Sequence, residues 1–169
     1  MAGNSPVRLI EGTADVADVD AFVERLAAIG AEHGAAVQTF DARCVAGRKH
    51  LRVAVERANR AVERDDAIAD DRAVEIICYA AARRQINRAL EIGVSDGEGP
   101  VVVVVDGGDE AGAADAVREL IDPGEVLESA SDPGPIREFF GITDAEVAAT
   151  DAGLEDLVIE RVSLLVVEK

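Results

Sequence analysis

Three guanidinium groups and two carboxamides fall within the six residues Arg83-Arg84-Gln85-Ile86-Asn87-Arg88. Their chemistry is hydrogen bonding and stacking, not bond making: arginine offers five donors in a rigid fork, and a carboxamide both donates and accepts. Ile86 sits in the middle. Arg84 and Arg88 are four apart, as are Arg83 and Asn87, so on a helix they make one cationic, hydrogen-bonding facet. A buried helix has no use for three arginines in six residues, so this facet must reach solvent or a partner. Core burial is the competing role for Ile86. Its place between two polar pairs favours exposure.

The other candidate chemistry is weaker. Asp106-Gly107-Gly108-Asp109-Glu110-Ala111-Gly112 follows a strand and opens a helix, the setting of a phosphate-binding turn. The glycine spacing is not Gly-x-Gly-x-x-Gly, no Gly-Lys-Ser/Thr follows, and acids at 106, 109 and 110 repel phosphate. An ordinary strand-to-helix turn is favoured. Neither histidine, His33 in a surface turn or His50 in Arg48-Lys49-His50-Leu51, has a carboxylate or cysteine at metal-ligand spacing. No serine lies in Gly-x-Ser-x-Gly, and neither Cys44 nor Cys78 has a nearby histidine as base. The cysteines read as small hydrophobes in a reducing cytosol. His50, beside two cations, reads as part of a basic surface. The expectation is a protein that is not an enzyme and needs no cofactor, metal or small-molecule substrate.

The element that must carry the facet is a helix from Asp71 to Gly93. Val74, Ile77, Cys78, Ala81, Ile86, Ala89 and Leu90 trace one apolar face, with Asp70 and Asp71 at the front and Gly93 as a left-handed stop. Before it come a strand at Val7–Glu11 ending at Gly12 and a helix capped by Asp15 or Asp18 and stopped at Gly30. A strand at Ala36–Phe40 follows. A helix over Gly47–Arg64 turns Leu51, Ala54, Val55, Ala58 and Val62 inward. After it, the five valines Val101–Val105 form a central strand, because an uninterrupted β-branched run implies burial on both faces. A helix from Asp109 to about Leu120, an edge strand at Val126-Leu127 and a helix over Pro133–Phe140 come next. Thr143-x-x-Glu146 has the capping-box pattern. Leu154–Arg161 reads as a helix and Val162–Val167 as a closing strand. Helices and strands mix without strict alternation, which predicts an α/β fold: one domain over 1–169, a mixed sheet of about four to five strands flanked by helices.

The 169 residues carry a net charge of −17 with only two lysines, Lys49 and Lys169, yet 49% are apolar. Acids spread along amphipathic segments argue for folding, not for a disordered tail. The composition looks like adaptation to molar salt, where the Debye length shrinks to about 3 Å and a strongly negative surface is tolerated. The charge is uneven. Residues 43–88 hold eleven basic residues against seven acidic, and the rest of the chain six against twenty-seven. There is no apolar run long enough to span a bilayer and no signal-like start, so a cytoplasmic protein is expected.

Asp41-Ala42-x-x-Val45-Ala46-Gly47-x-x-His50-Leu51, then Glu75-Ile76, Tyr79-Ala80-Ala81, Arg84-Gln85-Ile86-x-x-Ala89-Leu90-x-x-Gly93, the valine strand and Glu160-Arg161-Val162-Ser163-Leu164-Leu165 occur in that order. Together they resemble the small kinase-binding subunit of the KEOPS complex, the family of the human PRPK-binding protein, in a form from a salt-loving archaeon. The resemblance runs over most of the chain and is most specific over 41–93. It implies a non-catalytic α/β domain that docks on the Bud-type atypical kinase/ATPase and helps deliver tRNA for threonylcarbamoyladenosine modification. It also implies contact with the unpaired 3′ end of tRNA by Arg83, Arg84, Gln85 and Ile86, with Lys49 and His50 as neighbours. Phosphate-driven affinity fades in molar salt. Short-range recognition is therefore expected, with Ile86 as an apolar platform and Gln85 and the arginines bonding or stacking on splayed-out nucleotides. Leu154, Leu157, Val158 and Ile159 make the last helix apolar nearly all round, which offers Leu157 and Val158 as a kinase surface. A small-molecule or nucleotide-binding α/β enzyme and a purely structural adaptor without RNA binding are the alternatives.

Overall fold

Five successive valines cannot face water on either side of a strand, so the sheet that holds them needs cover on both faces. In a computed structural model, which describes residues 8–127, 133–149 and 153–165, they lie in β3 (Gly97–Asp106). It runs between β1 (Arg8–Val16) and β2 (Ala36–Asp41), and the sheet order is β2-β3-β1-β4, with β4 at Asp122–Pro123. Val101, Val103 and Val105 pack with Leu26, Ile29, Ala113 and Val117 from α1 (Val19–His33) and α5 (Glu110–Arg118). Val102 and Val104 point the other way, to Leu51, Ala54, Ile76 and Tyr79 of α2 (Arg48–Glu63) and α3 (Arg72–Ala81). The α/β architecture with a four-stranded sheet is as expected. Its described pairings, however, are all antiparallel and not mixed.

Several boundaries move for local reasons. β1 continues through Gly12 to Val16 because β3 pairs with it over nine residues, Arg8↔Val105 to Val16↔Gly97. Gly12 admits β4, since a Cβ there would lie 2.4 Å from the Asp122 carbonyl oxygen. Helix α1 starts after Asp18, whose carboxylate accepts from Asp20 N and Ala21 N, and passes Gly30 to end at Gly34 in the left-handed conformation. In α2 it is Ala61, not Val62, that turns inward. Val126 and Leu127 form no strand; their N–H groups donate to the Glu11 carboxylate, 3.0 Å each, which also accepts from Arg48 at 2.6 Å.

The last helix corrects the expected closing strand. It runs as α8 from Leu154 to Leu164, so Val162 to Leu164 are helical, and Val166 and Val167 lie outside the described residues. Two cores explain its apolar circumference. Val162 and Leu165 join the cluster of α2 and α3, while Leu157 and Val158 join Ile136, Phe140 and Ile142 around α6 (Gly134–Phe140). Helix α7 (Asp144–Ala149) carries the expected capping box, with Glu146 N donating to Thr143 Oγ1 and Thr143 N to Glu146 Oε1. Among the described residues no helix is long and apolar enough to cross a membrane.

Glu75 is fully buried in α3, and its two carboxylate oxygens accept from Ile68 N at 3.0 Å and Ala69 N at 2.7 Å. These bonds hold the turn that leads into α3. Glu75→Ala strands two amide donors, and an expected loss of about 3 kcal/mol in chemical denaturation follows from the cost of unmet buried bonds to a charged group.

Candidate functional site

The helix expected over Asp71–Gly93 is broken. Its start is as expected, with Asp71 accepting from Ala73 N and Val74 N. But α3 ends at Ala81, and Ala82 takes the left-handed conformation at φ 55°. Ala82 N donates to Tyr79 O and Arg83 N to Cys78 O, the double-bonded ending that closes a helix tightly, here with alanine where glycine is usual. The chain resumes as the one-turn helix α4 (Ile86–Ala89) and a 3₁₀ turn at Leu90–Ile92. Gly93 lies in extended backbone, so it is not the left-handed stop.

This break decides what each candidate residue can touch. Arg84 and Gln85 are exposed in the turn that precedes α4, and Ile86 opens α4 with 40% of its surface accessible. Ala89 turns inside, while Leu90, expected on the apolar face, is 51% exposed. Ile86 and Leu90 thus form an exposed apolar pair beside polar neighbours. Arg88 bonds Glu91 at 2.9 Å, three residues on, which removes part of its charge from the facet. Arg84 is not on the same helix as Arg88, so the four-residue alignment of the two does not form.

Arg83 is half-buried and turned inward. Its guanidinium donates to Phe139 O at 2.6 Å and to Ala81 O and Ala82 O at 3.3 Å each, and lies 4.5 Å from the centre of the Phe139 ring. Lys49 is exposed at the start of α2. His50 is fully buried, which corrects its expected place on a basic surface. Nδ1 lies 3.1 Å from Ala46 N, and Nε2 lies 2.7 Å from Ala80 O. An amide N–H can only donate and a carbonyl can only accept, so Nδ1 is the acceptor and Nε2 carries the proton. The backbone N–H of His50 donates to Glu155 of α8 at 3.1 Å, a cap supplied from another helix. The helix preference for residues 48–63 shows in the sequence; the partner that caps its start does not.

Leu157 and Val158 are buried in the cluster around α6, so they do not form an open kinase surface in this chain. The outward side of α8 carries Glu160 and Leu164, the latter 45% exposed, with Ile159 partly covered. At the Gly107-Gly108 turn the amide donors are taken by carboxylates: Gly107 N donates to Glu110 at 2.6 Å and Gly112 N to Asp109 at 3.1 Å. Acids occupy the positions a phosphate would need. Among the described residues no cluster of three or more His, Cys, Asp or Glu side chains could hold a metal.

Helices on both faces of an antiparallel sheet, with a short exposed helix turned out beyond α3, define a small α/β protein with a projecting polar and apolar segment. The family model described as kinase binding protein CGI-121 matches residues 14–165, and the chain belongs to that family. No curated protein matches the chain. The membership bears out the resemblance carried by residues 41–93 and makes this a member of a kinase-binding family.

Burial pushes the His50 imidazole from 6.5 down to about 4, against the bond to Ala80, which favours the charged form. Between those pH values the unfolded chain binds a proton that the folded chain refuses. Acidification therefore favours unfolding: the contribution is whole above pH 6.5 and lost progressively down to pH 4. From that shift, His50 makes the protein about 3 kcal/mol less stable at pH 4 than at 6.5. Burial raises the Glu11 carboxyl, but bonds from Leu127 N, Val126 N and Arg48 outweigh it and hold the group below its usual 4.5. Its contribution is present above 4.5 and is lost only below. Urea titrations of wild type and His50→Gln between pH 6.5 and 4.5 should show the wild type losing stability more steeply.

Proposed function

We propose that this protein is the kinase-binding accessory subunit of a KEOPS complex in a salt-adapted archaeon. In this role it binds the Bud-type kinase/ATPase and offers Arg84, Gln85 and Ile86 to the unpaired 3′ end of tRNA, in support of threonylcarbamoyladenosine modification. Family membership supports the kinase partner. The observation that carries the RNA contact is the exposure of Ile86 at the head of α4, next to the exposed Arg84 and Gln85.

Several features suit a loose nucleic-acid end. Unpaired terminal nucleotides offer flat apolar faces and hydrogen-bonding edges, and an aliphatic platform beside a guanidinium and a carboxamide matches both. Short-range contacts of this kind keep their value in high salt, where release of counterions contributes little. Lys49 stands as an outer neighbour. Arg83 and His50 face inward, so their part is not direct contact. For the kinase, the outward residues of α8, Ile159, Glu160 and Leu164, replace Leu157 and Val158 as the proposed surface. The expected role needs no cofactor and no catalysis by this subunit.

Two measurements test the two contacts separately. Ile86→Glu should abolish binding of mature tRNA in a gel shift in high potassium chloride while its circular dichroism and melting temperature stay those of wild type. Unchanged affinity would overturn the assignment of this segment to RNA, and absence of tRNA binding in the wild type as well would leave a structural adaptor without RNA binding. Leu164→Asp should cost at least about tenfold in affinity for the co-purified kinase, the scale set by placing a charge in an apolar contact, with tRNA binding retained.

A further inference from the structure

Two of the residues first expected to touch the ligand are committed elsewhere, and their commitments meet at one place. His50 joins Ala46 N, in the segment before α2, to Ala80 O, in the last turn of α3. Its ring stands edge-on to Phe140, centres 5.8 Å apart, and Phe140 stands edge-on to Phe139 at 5.0 Å. Arg83 lies over the Phe139 ring and donates to the Phe139 carbonyl and to those of Ala81 and Ala82. A continuous run, His50–Phe140–Phe139–Arg83, thus starts in the core and ends at the turn just before Arg84, Gln85 and Ile86.

That turn needs such support. Ala82 holds a positive φ without the freedom of glycine, a conformation that crowds the Cβ of an L-residue against its own backbone. The α4 helix that follows has four residues, too short to keep its shape alone. Both His50 bonds are to backbone, and both fix a single tautomer, so the ring acts as a rigid strut. Arg83 reaches three carbonyl oxygens from two nitrogens of one flat fork, where a lysine has a single nitrogen.

We propose that His50 and Arg83 are positioning residues that hold the Ala82–Ile86 turn in the shape that presents Ile86 and Gln85, a role distinct from contact with the ligand. The inference rests on the reading of Arg84, Gln85 and Ile86 as the RNA-binding segment, and deepens it. His50 acts through Ala80 and Phe140, and Arg83 through Phe139 and the carbonyls at the end of α3.

The test uses the full chain and four variants: His50→Leu, His50→Gln, Arg83→Lys and Ile86→Glu. His50→Leu keeps the volume and loses both bonds, whereas His50→Gln sets an amide N–H near the place of Nε2 and can keep the bond to Ala80. Amide hydrogen exchange over residues 82–86 is read beside affinity for an RNA ending in the unpaired 3′ nucleotides of tRNA. Expected are exchange faster by about tenfold and affinity weaker by about tenfold in His50→Leu and Arg83→Lys, the size of one or two lost hydrogen bonds, with near wild-type values in His50→Gln. Arg83 is half-buried at the surface, so Arg83→Lys reads the effect even if His50→Leu fails to fold. Unchanged exchange over 82–86 in Arg83→Lys overturns the proposal. So does faster exchange with unchanged RNA affinity when Ile86→Glu abolishes binding. If Ile86→Glu also leaves binding intact while exchange over 82–86 rises, the assignment of the RNA segment fails and the positioning of the turn stands.

Discussion

Burial of β3 on both faces is the constraint on which the other elements depend. A strand whose five valines are all within a few per cent of complete burial leaves neither side of the sheet to water. Antiparallel sheets often keep one wet face, but this one cannot. Helices α1 and α5 cover the odd-numbered valines, and α2 and α3 the even-numbered ones. With those four helices placed by one strand, α3 becomes an enclosed helix: every residue from Glu75 to Ala81 is buried. A polar stretch cannot continue in that setting. The chain turns outward at Ala82, and the residues that follow reach the surface.

The outer elements are held to this frame by charge-assisted bonds to backbone and by a small second core. Arg161 donates to Phe140 O at 2.9 Å and takes both oxygens of Glu146, tying α8 to α6 and α7. Glu155 caps α2, and a Cβ at Gly47 would lie 2.0 Å from that carboxylate, so the glycine there is the residue that lets Glu155 in. Arg72 bonds the side chain and carbonyl of Asp106, which also accepts from Asn59, so the end of β3 is locked to α2 and α3. Acids in this chain are thus more than a solvated coat. Some hold helices and turns that a lean set of small apolar side chains would secure less well.

The basic third of the chain divides the same way. Arg48 reaches Glu11, Arg60 reaches Glu56, Arg72 reaches Asp106 and Arg88 reaches Glu91. Exposed pairs such as Arg60–Glu56 contribute little to stability. The partly buried ones, Arg48–Glu11 and Arg72–Asp106, connect elements far apart in sequence. What projects from this network is short: a turn with Arg84 and Gln85, then Ile86 and Leu90. The reach of a recognition surface here is set by the turn and not by the sum of the charge.

The sequence by itself determined the elements whose pattern is local. The central valine strand, the caps at Asp18 and Asp71, the Thr143–Glu146 box and the inward face of α2 from Leu51 to Ala58 follow from side chains within a few residues of each other. So did the prominence of Ile86, whose polar neighbours pointed to the surface. Tertiary structure alone decided where periodicity was ambiguous or where a partner came from afar. The apolar spacing of 71–93 fits one helix, but it breaks at Ala82, where the N–H groups of Ala82 and Arg83 close on Tyr79 and Cys78 and the Arg83 side chain turns to Phe139, more than fifty residues away. Val162, Leu164 and Leu165 are apolar enough for a strand, yet helix wins because α8 buries apolar side chains in two cores at once. His50 looked like a surface cation among cations, and its burial depends on Ala80, thirty residues away. Spacing along a chain records which residues can share a face; which atoms close around that face is settled only when distant segments meet.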